Sequence, residues 1–268
     1  MPRIAETISN ANVSTVQSSF ARKEKKYVLE AAQYDQLMTR MGTMLEEEPY
    51  PRSIISSLYY DTPSFELINR SMEKPLYKEK LRIRAYGEYD PNAAVFCELK
   101  KKFKGIVYKR RIQMSHQAAL AFMGGMTYEQ ACDQWPLAPK QQTIDHSAAK
   151  DAQIAREIEA CIARHENLHP AMMVQVDRLP LHTTDGSNVR ITFDFEPLYR
   201  TSELDFAYGV HGENIMQPGQ VIMEVKCQGA YPLWLTQTFD DIHAYPQGCS
   251  KYGRAYTKAF SLQPAKSA

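Results

Sequence analysis

The chain has 268 residues, 32 Lys and Arg against 31 Asp and Glu, a formal net charge of +1 and a pI of about 7.6. That balance excludes the global basic field of a non-specific nucleic-acid binder, and no nucleic-acid partner is expected. No apolar run has the length to span a bilayer, and the five cysteines are scattered without metal-ligand spacing, which points to a reducing, cytoplasmic setting and against a zinc site.

Residues 1–20 are polar and lack an apolar h-region, so they read as a disordered segment with no signal peptide. A single domain is expected over 21–262, since all-β barrels of this length are often one domain. RKEKKYVLE (22–30) predicts a first strand, and the stripe Tyr34, Leu37, Met38 and Met41 predicts a helix ended by Gly42. Glu46–Glu48 with Pro49 and Pro51 marks a loop. SIISSLYY (53–60) reads as a strand stopped by Asp61-Thr62-Pro63, a helix-start signature with proline in the first turn. A short helix (64–72) and a long strand (77–89) follow. Ala94–Lys101 and Ile106–Gln113 flank Gly105 and predict a hairpin.

Ser115 is placed to cap a helix that ends at Gly124-Gly125. A loop with Trp135, Pro136 and Pro139 precedes a second helix (147–166) that lines up Ile154, Ile158, Cys161 and Ile162. Residues 115–168 therefore form a helical insertion between strands. Strands return at 172–178, 189–196 and 220–228. Two helices close the chain, one at 232–244 with Pro232 in its first turn and one starting at Ser250.

The strands share one pattern. Successive side chains point to opposite faces, so Phe96, Glu98 and Lys100 share one face while Val95, Cys97 and Leu99 share the other. Lys109 and Arg111 oppose Ile106, Tyr108 and Ile112, with Arg110 pointing outward. The same spacing recurs at Arg22/Glu24/Lys26, Lys80/Arg82/Arg84/Tyr86, Arg190/Thr192/Asp194 and Glu224/Lys226. Helices are available to cover the apolar faces, which turns the charged faces toward one another. The expected fold is α+β: an antiparallel β-barrel, or tunnel, with a charged lumen and helices around it.

No familiar catalytic signature is present. Gly248 and Gly253 have Walker A spacing but are followed by Arg254-Ala255, and there is no HExxH, GxSxG or EF-hand loop. The seven histidines read as surface residues. The chemistry is then expected from the lumen. Arg22, Lys26, Arg82, Arg84, Lys100, Lys109, Arg111, Arg178, Arg190 and Lys226 face it, against Glu24, Glu98, Asp194 and Glu224, an excess of six positive charges. Such an excess is costly to bury unless a multivalent anion neutralises it. Arginine and lysine are natural phosphate binders, and the few carboxylates suit a hard divalent cation. The alternative is a lumen of mutually satisfied ion pairs.

Eight segments resemble the VTC-type polyphosphate polymerase domain of the triphosphate tunnel metalloenzymes, relatives of the CYTH enzymes. They are R-K-E-K-K-Y (22–27), S-L-Y-Y-D-T-P (57–63), K-L-R-I-R-A-Y-G (80–87), E-L-K (98–100), V-Y-K-R-R (107–111), V-R-I-T-F-D (189–194), M-E-V-K (223–226) and S-K-Y (250–252). The resemblance implies metal-dependent transfer of the ATP γ-phosphate to a growing polyphosphate chain, with Mn²⁺ or Mg²⁺ as cofactor. It implies that Lys26, Arg82, Arg84, Lys100, Lys109, Arg178 and Lys251 hold phosphates and that Glu224 binds the metal. Lys226 joins the reacting group by its place in the lumen, Arg22, Arg111 and Arg190 join as phosphate ligands, and Glu24, Glu98 and Asp194 as further metal-side carboxylates. Two positions depart from relatives. Arg22, Glu24 and Lys26 stand where CYTH enzymes have two glutamates and a lysine, and Val176 stands where relatives often have a tyrosine. A triphosphatase of the same fold, or a polyanion-binding module without turnover, is the alternative.

Overall fold

A two-residue period decides which way the strands turn except where bulges break it, as the computed structural model shows over residues 22–48, 52–91, 93–144 and 146–260; the side chains of Arg22 and Lys23 are not described. The expected disorder of residues 1–20 and the end of the domain at 262 lie outside the described residues. In chain order the elements are β1 (Arg22–Leu29), α1 (Ala31–Met41), β2 (Leu45–Glu47), β3 (Ser53–Asp61), α2 (Glu66–Met72), β4 (Tyr77–Tyr86), β5 (Ala94–Phe103) and β6 (Ile106–Ser115). They continue with α3 (His116–Met123), α4 (Tyr128–Gln134), α5 (Ala148–Arg164), β7 (His169–Thr183), β8 (Arg190–Arg200), β9 (Glu213–Asn214), β10 (Val221–Gln228), α6 (Leu233–Asp241) and α7 (Lys251–Phe260).

The sheet is antiparallel, in the order β1-β10-β8-β7-β3-β4-β5-β6, with β2 added to β7 and β9 to β8. It curls into a half-barrel. The fold class is as expected, but the ladder is not closed: among the described residues no pairing joins β1 to β6.

The apolar faces lie outside and are covered by helices. Leu81, Ile83, Cys97, Leu99 and Ile112 pack with Phe122 of α3 and with Ile154, Ile158 and Cys161 of α5. Tyr27, Leu29, Ile191, Phe193, Met223 and Val225 pack with Leu37 and Met41 of α1 and with Leu235 and Phe239 of α6. Burying such a side chain contributes about 1.5–3 kcal/mol, which sets the register, because a one-residue slip would expose a whole face. A third cluster fills one end of the concave face, where α7 sets Tyr252 and Ala255 against Tyr59, Met172, Val174 and Ile222.

Local chemistry fixes the details. Phe103 pairs with Ile106 across Lys104 and Gly105, both at positive φ (47° and 86°), the geometry of a tight two-residue hairpin. Asp61, fully buried, accepts the N–H groups of Thr62, Leu67 and Ile68 and so satisfies the start of α2. That helix begins at Glu66, so Pro63 precedes its first turn instead of entering it. Glu46 and Glu47, expected in a loop, form β2 on β7. Helix α4 was not expected; Thr127 Oγ1 caps it by accepting the N–H of Gln130.

Candidate functional site

Register brings the charged residues of seven strands onto one concave face. Lys26 of β1 stands opposite Glu224 of β10, Arg178 of β7 opposite Asp194 of β8, Tyr59 of β3 opposite Arg82 of β4, and Glu98 of β5 opposite both Arg82 and Arg111 of β6. Helix α7 adds Lys251 from the apolar end. Its first turn is also a source of N–H donors that favour an anion.

Glu98 is a hub. Its side chain is 2% exposed, and Arg82 grips Oε2 through Nε and Nη2 at 2.8 and 2.6 Å. Lys109 Nζ meets Oε1 at 2.7 Å, while Arg111 and Arg84 stand off at 3.7 and 3.9 Å. Burial opposes ionisation of Glu98, but Arg82, Arg84 and Lys109 hold its carboxyl well below the usual range. Asp194, wholly buried, is clamped by Arg178 at 2.6 and 2.8 Å and by Lys251. These two carboxylates are counter-ions of arginine, which leaves them poorly placed as metal ligands.

Two features stay open. Arg84 is 13% exposed, and its Nε has no hydrogen-bond partner. Burial and the charge of Arg82 push its guanidinium down. Lys100 has no carboxylate within ion-pair distance among the described residues; burial and Lys26 lower its ammonium. Cations with donors left over in this way are stabilised by an incoming anion.

Glu224, the expected metal ligand, centres a second group of charges. Its oxygens meet Lys226 and, at 3.5 Å, Lys26, which also lies 3.7 Å from Glu24. Burial opposes its charge, yet Lys226 and Lys26 draw its carboxyl down to about 2. Thr192, opposite Glu224 in the register, has a buried Oγ1 without a hydrogen-bond partner. Ionised oxygen donors beside an unengaged hydroxyl fit the hard divalent cation that the resemblance implies. A cavity of about 350 Å³ opens beside Glu24, Lys25 and Lys26 against the 246–249 loop.

Some expectations are corrected. Arg190 shares the lumen spacing but reaches the rim, where it is 57% exposed and meets Glu48 at 3.0 Å. The backbone of Arg22 belongs to β1 while its side chain is outside the described set. The histidines are not all at the surface: His116 is 3% exposed and His165 lies against Glu79.

Two residues absent from the expected site belong to this face. Lys80 bonds Ser250 Oγ at 2.9 Å at the start of α7, and burial lowers its ammonium to about 8, helped by Lys78, Lys100 and Lys26. Tyr59 accepts from Arg82 Nη1 at 2.9 Å. Burial opposes its ionisation, but Arg82, Lys80 and Arg84 outweigh that and bring the phenol to about 7. The alternation of S-L-Y-Y would have placed Tyr59 beside Arg82 once β3 was paired with β4.

Among solved structures, similarity is found to a candidate adenylate cyclase of Vibrio parahaemolyticus, at 11% identity over 88% of this chain and 97% of that one, with a TM-score of 0.42. A protein of Pyrococcus horikoshii OT3 matches at 12% identity over 88% and 99% of the two chains, also at 0.42. The Schizosaccharomyces pombe Mediator head module matches at 8% identity over 89% and 95%, at 0.39. No curated protein matches the chain. The family model of the VTC domain matches residues 21–260, nearly the whole of the structure described above, and the chain belongs to the VTC domain family.

Proposed function

We propose that this chain is a metal-dependent phosphotransferase that moves the γ-phosphate of ATP onto a polyphosphate chain lying along the concave face. The observation that carries the reading is the surplus of cations there, with Arg84 Nε buried and unpartnered beside a Glu98 already ion-paired to Arg82 and Lys109. Arg84, Lys100 and Lys109 would grip the triphosphate, with Arg82 and Arg178 held in place for it by Glu98 and Asp194. Lys26, Lys226, Lys251 and Arg111 would extend the contact along the chain.

Phosphoryl transfer asks mainly for positioning and charge stabilisation. The terminal phosphate of the acceptor is already ionised and attacks the γ-phosphorus without a general base. One phosphoanhydride bond forms as the bond to ADP breaks. A divalent cation held by Glu224, with Glu24 and Thr192 nearby, would supply neutralisation of phosphate oxygens.

One observation favours a second reading. Val176, 5% exposed in β7, offers no ring to a nucleobase. That suits an inorganic tri- or polyphosphate as ligand, cleaved by water or simply held. Incubation of pure protein with ATP and Mn²⁺, with products run on a gel stained for polyphosphate, tests the polymerase. A ladder is the expected result. Phosphate release without a ladder would replace it with a triphosphatase, and binding without turnover with a polyanion module.

A further inference from the structure

Behind β4, on the side away from the charged face, three ligating side chains meet. Glu79 directly precedes Lys80 and so points the opposite way. Cys161 lies in the last turns of α5 and His165 just past its end, four residues on, so both approach Glu79 from one side of the helix. The ligating atoms of Glu79, Cys161 and His165 all lie within 4.8 Å of one another. His165 Nε2 is 2.8 Å from Glu79 Oε1, and its Nδ1 faces Glu66 of α2 at 3.6 Å. Sequence spacing alone pointed away from zinc because Glu79 comes from more than 80 residues earlier.

We infer that Glu79, Cys161 and His165 form a zinc site, separate from the carboxylates of the concave face, that ties the end of α5 to the back of β4. The donor set carries the choice of metal. One thiolate, one imidazole and one carboxylate suit Zn²⁺, whereas Mg²⁺ and Mn²⁺ prefer oxygen alone. The charges also match: thiolate and carboxylate neutralise the dication, so the unit can be buried without excess charge. Glu66 behind Nδ1 would fix the imidazole with Nε2 turned to the metal, a carboxylate–histidine pairing usual at zinc sites. Glu66 also lines a surface cavity of about 570 Å³.

Without the ion, Glu79 is held by the Tyr77 hydroxyl at 2.6 Å, by Arg164 at 3.0 and 3.2 Å and by His165. Zinc would take the place of Arg164 as the counter-charge. The Arg164 side chain is 49% exposed and can turn into solvent. Binding releases the Cys161 thiol proton to water and leaves the imidazole neutral. Three protein ligands leave the fourth tetrahedral position to water.

Cobalt(II) titration of the chelator-treated full chain tests this, because cobalt–thiolate bonding gives a near-ultraviolet charge-transfer band. One equivalent should develop the band, and Zn²⁺ should abolish it by displacement. Cys161→Ser should eliminate it, while Cys132→Ser should leave it. His165→Gln, which keeps the thiol, should weaken cobalt affinity at least about tenfold. Zn²⁺ should raise the melting temperature of the wild type and not of either site variant. If the wild type develops no thiolate band, or if the band survives Cys161→Ser, the inference fails and the group is only the ion-pair network around Glu79. Should Cys161→Ser not fold, the wild-type band and its response to His165→Gln still decide the matter.

Discussion

Tyr252 lies flat on Tyr59, with ring centroids 4.3 Å apart and 14° between the planes. Two stacked phenols thus join the closing helix to the charged face, and their surroundings drive them apart chemically. The Tyr59 hydroxyl meets Arg82 and is drawn down to about 7. The Tyr252 hydroxyl donates to the buried Asp61 at 2.7 Å; burial and that carboxylate push it far up.

The first prediction is an opposition between stability and binding as pH rises. Tyr59 has a folded value of about 7 against 10.0, so its contribution is present above 10 and lost as pH falls through 7. Lys80 has a folded value of about 8 against 10.5, so the folded chain sheds that proton first and gains stability between 8 and 10.5. Both changes make the concave face less positive, Tyr59 by gaining a negative charge and Lys80 by losing a positive one. From pH 7 to 9 these two groups should raise the stability of the ligand-free chain, while triphosphate affinity falls about tenfold or more. Calorimetric titration with tripolyphosphate at several pH values checks this. Tyr59→Phe and Lys80→Met should each flatten the profile; an unchanged slope in both would remove these groups from the site.

Tyr252→Phe should be mainly a stability lesion. It deletes a buried hydrogen bond to Asp61 and leaves that carboxylate with fewer donors, a loss of about 1–3 kcal/mol. For a chain of this size the melting temperature should drop by several degrees. The stack on Tyr59 survives, so triphosphate binding should change less than threefold. Denaturant unfolding beside a binding titration separates the two effects.

The paired arginines should behave differently from each other. Arg82 holds Glu98 and Tyr59, so Arg82→Met breaks a buried network and should cost about 3–5 kcal/mol of stability. Arg84 touches Glu98 only at 3.9 Å and leaves its Nε unpartnered. Arg84→Met should therefore keep or raise the melting temperature while weakening triphosphate binding at least about tenfold, the worth of one charge-assisted hydrogen bond. Equal destabilisation by both variants, with binding intact, would mean that both arginines are structural.

Glu224→Gln keeps the shape and removes the charge that Lys26 and Lys226 share. Turnover at saturating Mn²⁺ should fall more than about a hundredfold, with triphosphate affinity retained or improved, since a negative charge has left the site. The carboxyl of Glu224 is held near 2, below its usual value of 4.5, so its stabilising effect is present above 4.5 and lost as pH falls through 2. The variant should accordingly show a smaller loss of stability between pH 5 and pH 2 than the wild type, as acid unfolding would register.

What the sequence made legible was the set of strand faces, because burial punishes a shift of one residue. Leu81, Ile83, Phe193 and Met223 face helices, and Arg82, Asp194 and Glu224 share the opposite, concave face, as alternation requires. Closure was not legible, since it depends on tilt and curl and not on the pattern of any one strand. Arg190 obeys the spacing, but as the first residue of β8 it reaches only the rim and Glu48. Lys80 gained its place through Ser250, and His165 through Glu79, partners separated by 170 and 86 positions that no local reading joins.

The last prediction follows one strand through three neighbouring cations. Lys109 and Arg111 of β6 lie on the face of Glu98, while Arg110 between them turns outward and meets Glu157 of α5 at 3.0 Å, beside Lys101. Charge reversal at Arg110 would set two carboxylates against each other and loosen α5, so neutral glutamine is the cleaner probe. Lys109→Gln and Arg111→Gln should each weaken tripolyphosphate binding about tenfold. Arg110→Gln should leave binding nearly unchanged and lower the melting temperature slightly, because its role is to dock the helix. Repeating the titrations at high salt separates local from diffuse attraction, since exposed charges are screened within about 10 Å at 0.1 M salt. A period-two pattern that persists at high salt supports a built anion site on the concave face. Three equal losses that vanish together would show a diffuse basic surface, and the phosphotransferase reading would fall with the site.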